Sequence, residues 1–249
     1  MSVPAKIRLS VIITIYSETN SLVETIDRLL AADREYIQEI LLVVSPRSSA
    51  SCLNICRQAV EDHEDVHLHL QQDNPGVGRA VREGMAAATG THVAILSADL
   101  ETEPEAVARM VKTMETGGYD LVIANRWLPG GGFYNYSRIK LWLNWLFQNL
   151  FKRLYRTDLG DLTYGLKLIK KELADRIAWE STHHEIFIET TLKPILAGAS
   201  AGQVPTVWVG RGEGVSKNNF RINLRYVWLA IKLLSHLPAA GREKGYRKH

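Results

Sequence analysis

The segment Leu9-Ser10-Val11-Ile12-Ile13-Thr14-Ile15-Tyr16 is rich in β-branched residues and passes at once into capping residues 17–20 and an amphipathic stretch carrying Leu22, Ile26, Leu29 and Leu30. This reads strand, loop, helix. The unit then recurs. Residues 40–44 form a second buried strand, followed by Ser45-Pro46-Arg47-Ser48-Ser49 and a helical stretch through Val60. Residues 66–70 are a third strand, Asn74-Pro75-Gly76-Val77-Gly78 turns into a helix with Val81 and Met85, and residues 92–96 are a fourth strand. Strands alternating with helices predict an α/β fold built on a doubly wound, mostly parallel sheet. Ligands of such sheets lie at the carboxyl ends of the strands. Chemistry is therefore expected at residues 16–18, 45–48 and 97–103.

Composition adds bounds. A chain of 249 residues that is 46% hydrophobic has material for one α/β domain with a short appendage. The first six residues lack the apolar core of a secretory signal, so the expected compartment is the cytosol. Cys52 and Cys56 lie one helical turn apart without the further ligands a zinc would need, and read as reduced core thiols. The net charge is +3, but its placement matters more. Residues 121–157 hold no acid beside Arg126, Arg138, Lys140, Lys152, Arg153 and Arg156, and residues 214–242 hold none beside Lys217, Arg221, Arg225, Lys232 and Arg242. Both stretches are expected to face an anionic partner.

The loop Ser97-Ala98-Asp99-Leu100-Glu101-Thr102-Glu103-Pro104-Glu105 follows an apolar strand, and alternate acids on extended backbone can converge on one point. Oxygen ligands there suit Mg2+ or Mn2+ held mostly by water and phosphate, with Asp99 and Glu101 as metal ligands. Glu103 and Glu105 read instead as caps of the helix after Pro104.

This loop resembles the Asp-x-Asp signature of family 2 glycosyltransferases, and more narrowly the loop of the dolichyl-phosphate mannose synthases and related polyprenyl-phosphate glycosyltransferases. Further segments in order are similar to that family: Thr14-Ile15-Tyr16-Ser17-Glu18, Gly76-Val77-Gly78-Arg79-Ala80, Arg126, Asp161-Leu162-Thr163-Tyr164-Gly165-Leu166-Lys167, Glu189, and Arg211-Gly212-Glu213-Gly214-Val215-Ser216-Lys217. Two segments depart from it. Ser97 stands where the family has its first aspartate, and Val44-Ser45-Pro46-Arg47 replaces an Asp-Asp-Gly that contacts the base. Arg47 is a candidate phosphate contact.

The resemblance implies a GT-A fold and an inverting transfer of sugar from a nucleotide-diphospho-sugar to a polyprenyl phosphate. It implies catalytic roles for Asp99, Arg126, Asp161, Arg211 and Lys217. Donor binding falls to Thr14, Tyr16, Glu18, Ser45, Gly78, Arg79, Ser97, Ala98 and Asp99, and acceptor binding to Arg138, Glu189, Ser216 and Lys217. The expected organisation is a transferase domain over residues 1–212, with a nucleotide-sugar half to 128 and an acceptor half beyond it. An amphipathic helix and basic tail occupy 213–249. An ionised phosphate acceptor needs no general base, whereas a hydroxyl acceptor does. Asp161 and Glu189 are candidates for that base, against readings as a salt-bridge partner and as part of a solvated helix face.

The stretch 141–151 is too short to span a bilayer, but its aromatic residues, flanked by Lys140, Lys152 and Arg153, suit a headgroup interface. In the last helix Arg221, Arg225, Lys232 and His236 fall within roughly 60° of each other, opposite Tyr226, Trp228, Leu229, Ile231 and Leu234. The expected location is peripheral, on the cytoplasmic face of a membrane. No nucleic-acid partner is expected. The alternatives are a family 2 transferase acting on a hydroxyl, and a non-catalytic nucleotide-binding protein at the membrane. The histidines at 63, 67, 69, 183 and 184 are read as solvated groups, not metal ligands.

Overall fold

The computed structural model describes residues 6–72, 76–210 and 220–235, with side chains omitted at 220–223. The elements run β1 (Leu9–Ile15), α1 (Asn20–Asp33), β2 (Ile37–Val44), α2 (Ala50–Asp62), β3 (Val66–Leu70), α3 (Val77–Ala87), β4 (His92–Ser97), α4 (Ala106–Gly117), β5 (Leu121–Asn125), β6 (Gly132–Tyr134), α5 (Arg138–Tyr155), β7 (Lys167–Lys170), α6 (Lys171–Arg176), α7 (Ile186–Leu196), β8 (Ala201–Pro205), β9 (Val207–Val209) and α8 (Phe220–Leu234). The four strands read from hydrophobic runs are all present, with ends shifted by up to three residues.

Seven strands form one sheet in the order β3-β2-β1-β4-β7-β5-β8, and β6 pairs with β9 in a small second sheet. The large sheet is parallel except at β7, which runs antiparallel to both β4 and β5. The expectation near residue 128 places a boundary just after β5, and strands from both sides of it share the sheet. Alternation along β1 sends Leu9, Val11, Ile13 and Ile15 to one face and Ile12 to the other. On the first face they meet Leu22, Ile26 and Leu29 of α1, Cys52 and Cys56 of α2, and Val107, Met110 and Met114 of α4. Both cysteines are buried and free. On the second face the partners come from α3, α5, α6, α7 and α8. Burying such a side chain contributes about 1.5–3 kcal/mol, so the two layers fix how the carboxyl ends of β1, β2 and β4 line up.

Candidate active site

The register brings the expected strand ends together. Thr14 lies opposite Val43 on one side and Ser97 on the other. Ser45 is buried, and its N–H donates to the Ile15 carbonyl (3.0 Å). Tyr16 is exposed at the end of β1, and the Glu18 carboxylate accepts from the backbone N–H of Tyr16 (2.7 Å) and Ser17 (2.8 Å). Thr14, Tyr16, Glu18, Ser45, Ser97, Ala98 and Asp99 thus gather at one edge of the sheet, where the parallel topology places ligands.

The loop after β4 is tied down on all sides. Leu100 has φ +56°, a left-handed conformation costly for a branched residue, and it turns the chain so that the Glu101 N–H donates to Asp99 Oδ1 (3.1 Å). The Glu101 carbonyl accepts from Val209 N–H (3.0 Å), and Glu101 Oε2 accepts from Trp208 Nε1 (3.2 Å). The Thr102 hydroxyl hydrogen-bonds the Tyr164 hydroxyl. Glu103 and Glu105 do not cap α4 with their side chains, contrary to the sequence reading. Glu103 accepts from Arg109, Thr206 Oγ1 and Val207 N–H, fastening the loop to β9. Glu105 forms a two-pronged pair with Arg28 on α1 (2.7 and 2.8 Å).

Among the described residues no group of three or more His, Cys, Asp or Glu side chains could hold a metal ion. A cation that takes most of its ligands from water and phosphate needs few protein carboxylates, and Asp99 and Glu101 are the residues of this loop that could hold one. His69 pairs with Glu83 (2.9 Å) and His63 lies 4.0 Å from Asp27, in separate places.

Arg126 and Asp161 form a buried ion pair. Arg126 Nε lies 2.7 Å and Nη2 3.0 Å from the two carboxylate oxygens, and the Arg126 N–H adds a bond of 3.2 Å. The guanidinium sits 4.7 Å from the Phe133 ring centroid and 4.3 Å from that of Tyr164. Burial alone would lower the Arg126 pKa, but the attraction and hydrogen bonds of Asp161 outweigh it and hold the guanidinium charged. Of the two readings of Asp161, the structure displays the salt bridge. Lys167, also fully buried, donates to the carbonyls of Tyr164 and Phe187 (2.6 Å to the latter). Burial, with Arg126 nearby, pulls its amine down to about 7. A neutral amine still has the two N–H groups these carbonyls require.

Glu189 is not on a solvated face. It is fully buried, accepts from the N–H groups of Glu180 and Ser181 (2.9 Å each) and pairs with Lys193 (2.6 Å). The loop it supports presses on the start of α3. A Cβ on Gly78 would stand 2.6 Å from the Thr182 carbonyl carbon, and one on Gly76, at φ +157°, 2.2 Å from the Thr182 oxygen. Gly78 is thus a close-approach glycine, with Arg79 beside it in the first turn of α3. Arg138 is exposed at the start of α5. Arg211, Ser216 and Lys217 lie outside the described residues. The chain before them ends at Gly210, whose N–H donates to Tyr134 (2.9 Å), directly after β9.

Sequence reasoning missed Trp208, Lys167 and Gln148. Gln148 had a signal: with Phe151 and Tyr155 it makes the buried i, i+3, i+7 stripe of α5.

The architecture has solved counterparts, and the sequence itself decides the family. Residues 10–178 match Glycosyl transferase family 2. The chain belongs to that family. Its fold is GT-A. An undecaprenyl-phosphate 4-deoxy-4-formamido-L-arabinose transferase of Photorhabdus laumondii is 30% identical over 226 residues, covering 88% of this chain and 66% of that protein. The like-named transferase of Proteus mirabilis is 29% identical over 239 residues, covering 94% and 68%. The chain spans about two thirds of the length of these curated relatives. Glucosyl-3-phosphoglycerate synthase of Mycobacterium tuberculosis, solved with Mn2+, UDP and phosphoglyceric acid, superposes with a TM-score of 0.67 at 17% identity, covering 95% of this chain and 81% of that one. That likeness concerns the fold.

Proposed function

We propose that this transferase moves a sugar from a nucleotide-diphospho-sugar to a polyprenyl phosphate, lying peripherally on the cytoplasmic face of a membrane. The observation that carries this reading is α5. It holds no acid, and it leaves Ile139, Trp142, Leu143, Trp145, Leu146, Leu150 and Leu154 exposed, Ile139 by 73% and Trp142 by 59%. A contiguous apolar surface of this kind marks an interaction site, and tryptophans beside Lys140, Lys152 and Arg153 match the headgroup zone. No helix among the described residues is long and apolar enough to cross a membrane. The relatives named as undecaprenyl-phosphate transferases support a lipid phosphate as acceptor.

In this reading an acceptor phosphate oxygen forms the new bond to the anomeric carbon while the bond to the donor diphosphate breaks, its electron pair leaving with the diphosphate. Asp99, with Glu101, would hold a Mg2+ or Mn2+ ion, which when bound neutralises charge on the leaving diphosphate. Thr14, Tyr16, Glu18, Ser45, Ser97 and Ala98 line the donor edge, and Gly78 and Arg79 add an N-terminal helix turn suited to phosphate. Arg211 and Lys217 would supply positive charge to the phosphates, while Arg126, neutralised by Asp161, frames the site. Arg138 and Ser216 meet the acceptor phosphate, and Glu189 serves it indirectly by supporting the loop at 180–185. A hydroxyl acceptor finds less support, because both carboxylates offered as its base are buried and already bonded.

The test uses the full chain with a panel of nucleotide sugars, with and without short-chain polyprenyl phosphate. Nucleoside diphosphate release should depend on the lipid phosphate and on a divalent ion, and Asp99→Asn should lower it about a hundredfold or more. Glu101→Gln should lose less. Equal turnover in excess chelator would refute the metal role, and efficient transfer to a hydroxyl compound alone would refute the acceptor.

A further inference from the structure

Gln148 turns inward from a helix whose other surface is largely apolar and exposed. Its Oε1 accepts from Leu162 N–H (2.8 Å), and its Nε2 donates to Thr163 Oγ1 (2.8 Å) and to Asp161 Oδ1 (3.3 Å). Both ends of the amide therefore serve one loop, which fixes its orientation. The same Asp161 accepts three bonds from Arg126. Arg126 lies against the Tyr164 ring, the Tyr164 hydroxyl bonds Thr102, and Thr102 bridges to Trp208, whose indole N–H donates to Glu101. Contacts thus run without a gap from α5 to the carboxylate loop. Packing α5 on the domain needs no amide here. Leucine would fill the position but would leave the buried Leu162 N–H without its acceptor, at about 1–3 kcal/mol, so the amide serves the loop and not the packing of the helix.

We infer that Gln148 is a positioning residue for sugar transfer. It holds Asp161 so that Arg126, Tyr164 and Thr102 keep the loop 97–103 in place, which makes α5 part of the catalytic frame as well as the proposed membrane face. The inference rests on reading that loop as the transfer site.

The experiment compares Gln148→Met with the unsubstituted full chain. Lipid-dependent transfer and slow donor hydrolysis by water are both measured, together with donor KM, thermal stability and binding to vesicles of anionic phospholipid. Losing the hydrogen bond to the charged Asp161 should lower kcat about ten- to a hundredfold in both reactions, with donor KM and vesicle binding unchanged. A purely structural role would lower stability and leave kcat per folded molecule intact, and that result overturns the inference. Should Gln148→Met fail to fold, Gln148→Asn keeps an amide on α5 and withdraws it from Asp161 by one methylene. An unchanged kcat in that variant overturns the inference equally. Hydrolysis without any transfer to lipid phosphate in the unsubstituted protein would instead remove the acceptor assignment, and the effect of Gln148 would still be read on hydrolysis.

Discussion

Helices cover both faces of the central sheet, and the two coverings finish differently. On the face of α1, α2 and α4, apolar side chains turn inward, and among the described residues Val23 is the one large apolar side chain these helices expose. On the other face α5 buries Gln148, Phe151 and Tyr155 and leaves seven large apolar residues outside, while α8 buries Leu229, Ala230 and Leu233 and leaves Leu224, Trp228 and Ile231 outside. Amphipathic patterning alone does not distinguish these cases, because it reports that a helix has an apolar stripe and not whether the fold can cover it. Here the second face carries more apolar surface than its own domain buries. The two helices there are joined, Tyr155 Oη donating to the Ala230 carbonyl (2.5 Å).

The largest expected effect probes what holds the open face in place. Asp161→Ala strands the Arg126 charge in the interior and should cost about 3–5 kcal/mol, read from the midpoint of denaturant unfolding. A loss below about 1 kcal/mol would mean that the pair is not buried as the structure has it.

A smaller effect bears directly on the contrast between the faces. Replacing Trp142 and Leu146 together by serine should weaken binding to anionic vesicles about tenfold or more, since each removes apolar area worth about 1.5–3 kcal/mol when fully buried. Val23→Ser on the opposite face should leave binding unchanged. Added salt should weaken what remains. Equal binding by all three proteins would break the contrast and turn attention to another partner for α5.

A pH-dependent effect concerns Lys167, whose amine is held near 7, chiefly by burial, against an ordinary 10.5. Between these values the unfolded chain carries a proton that the folded protein lacks, so this residue makes stability climb as pH rises from about 7 to 10.5. Lys167→Met should flatten that climb, visible in Tm measured across the interval. Parallel curves for the two proteins would show that the amine stays charged in the fold.

The donor side of the molecule was largely legible. Short apolar runs marked β1 to β4, and parallel topology alone directed attention to residues 16–18, 45–48 and 97–103. The short strand Lys167–Lys170 was not legible, because its end lysines resemble a solvated stretch. Its place between β4 and β5 comes from contacts distant in sequence. Glu189 was misread for a related reason: nothing local announces that Lys193 and two backbone N–H groups will take its charge. The basic stripe of α8 was read as facing an anionic partner, yet Arg225 lies 3.8 Å from Glu185 and Lys232 2.6 Å from Glu180 of the same chain.

By itself, then, the sequence determined the α/β class, the end of the sheet where chemistry is expected and the apolar character of α5. These follow from local periodicity and from the ordered loops whose residues are neighbours along the chain. Only the tertiary structure decided that Asp161 belongs to Arg126, that Gln148 belongs to Asp161, and that the charges of α8 meet Glu180 and Glu185. Such pairings join residues 13 to 52 positions apart. Whether a charge or amide is buried with a partner or left in water is settled by the packing that brings those positions together.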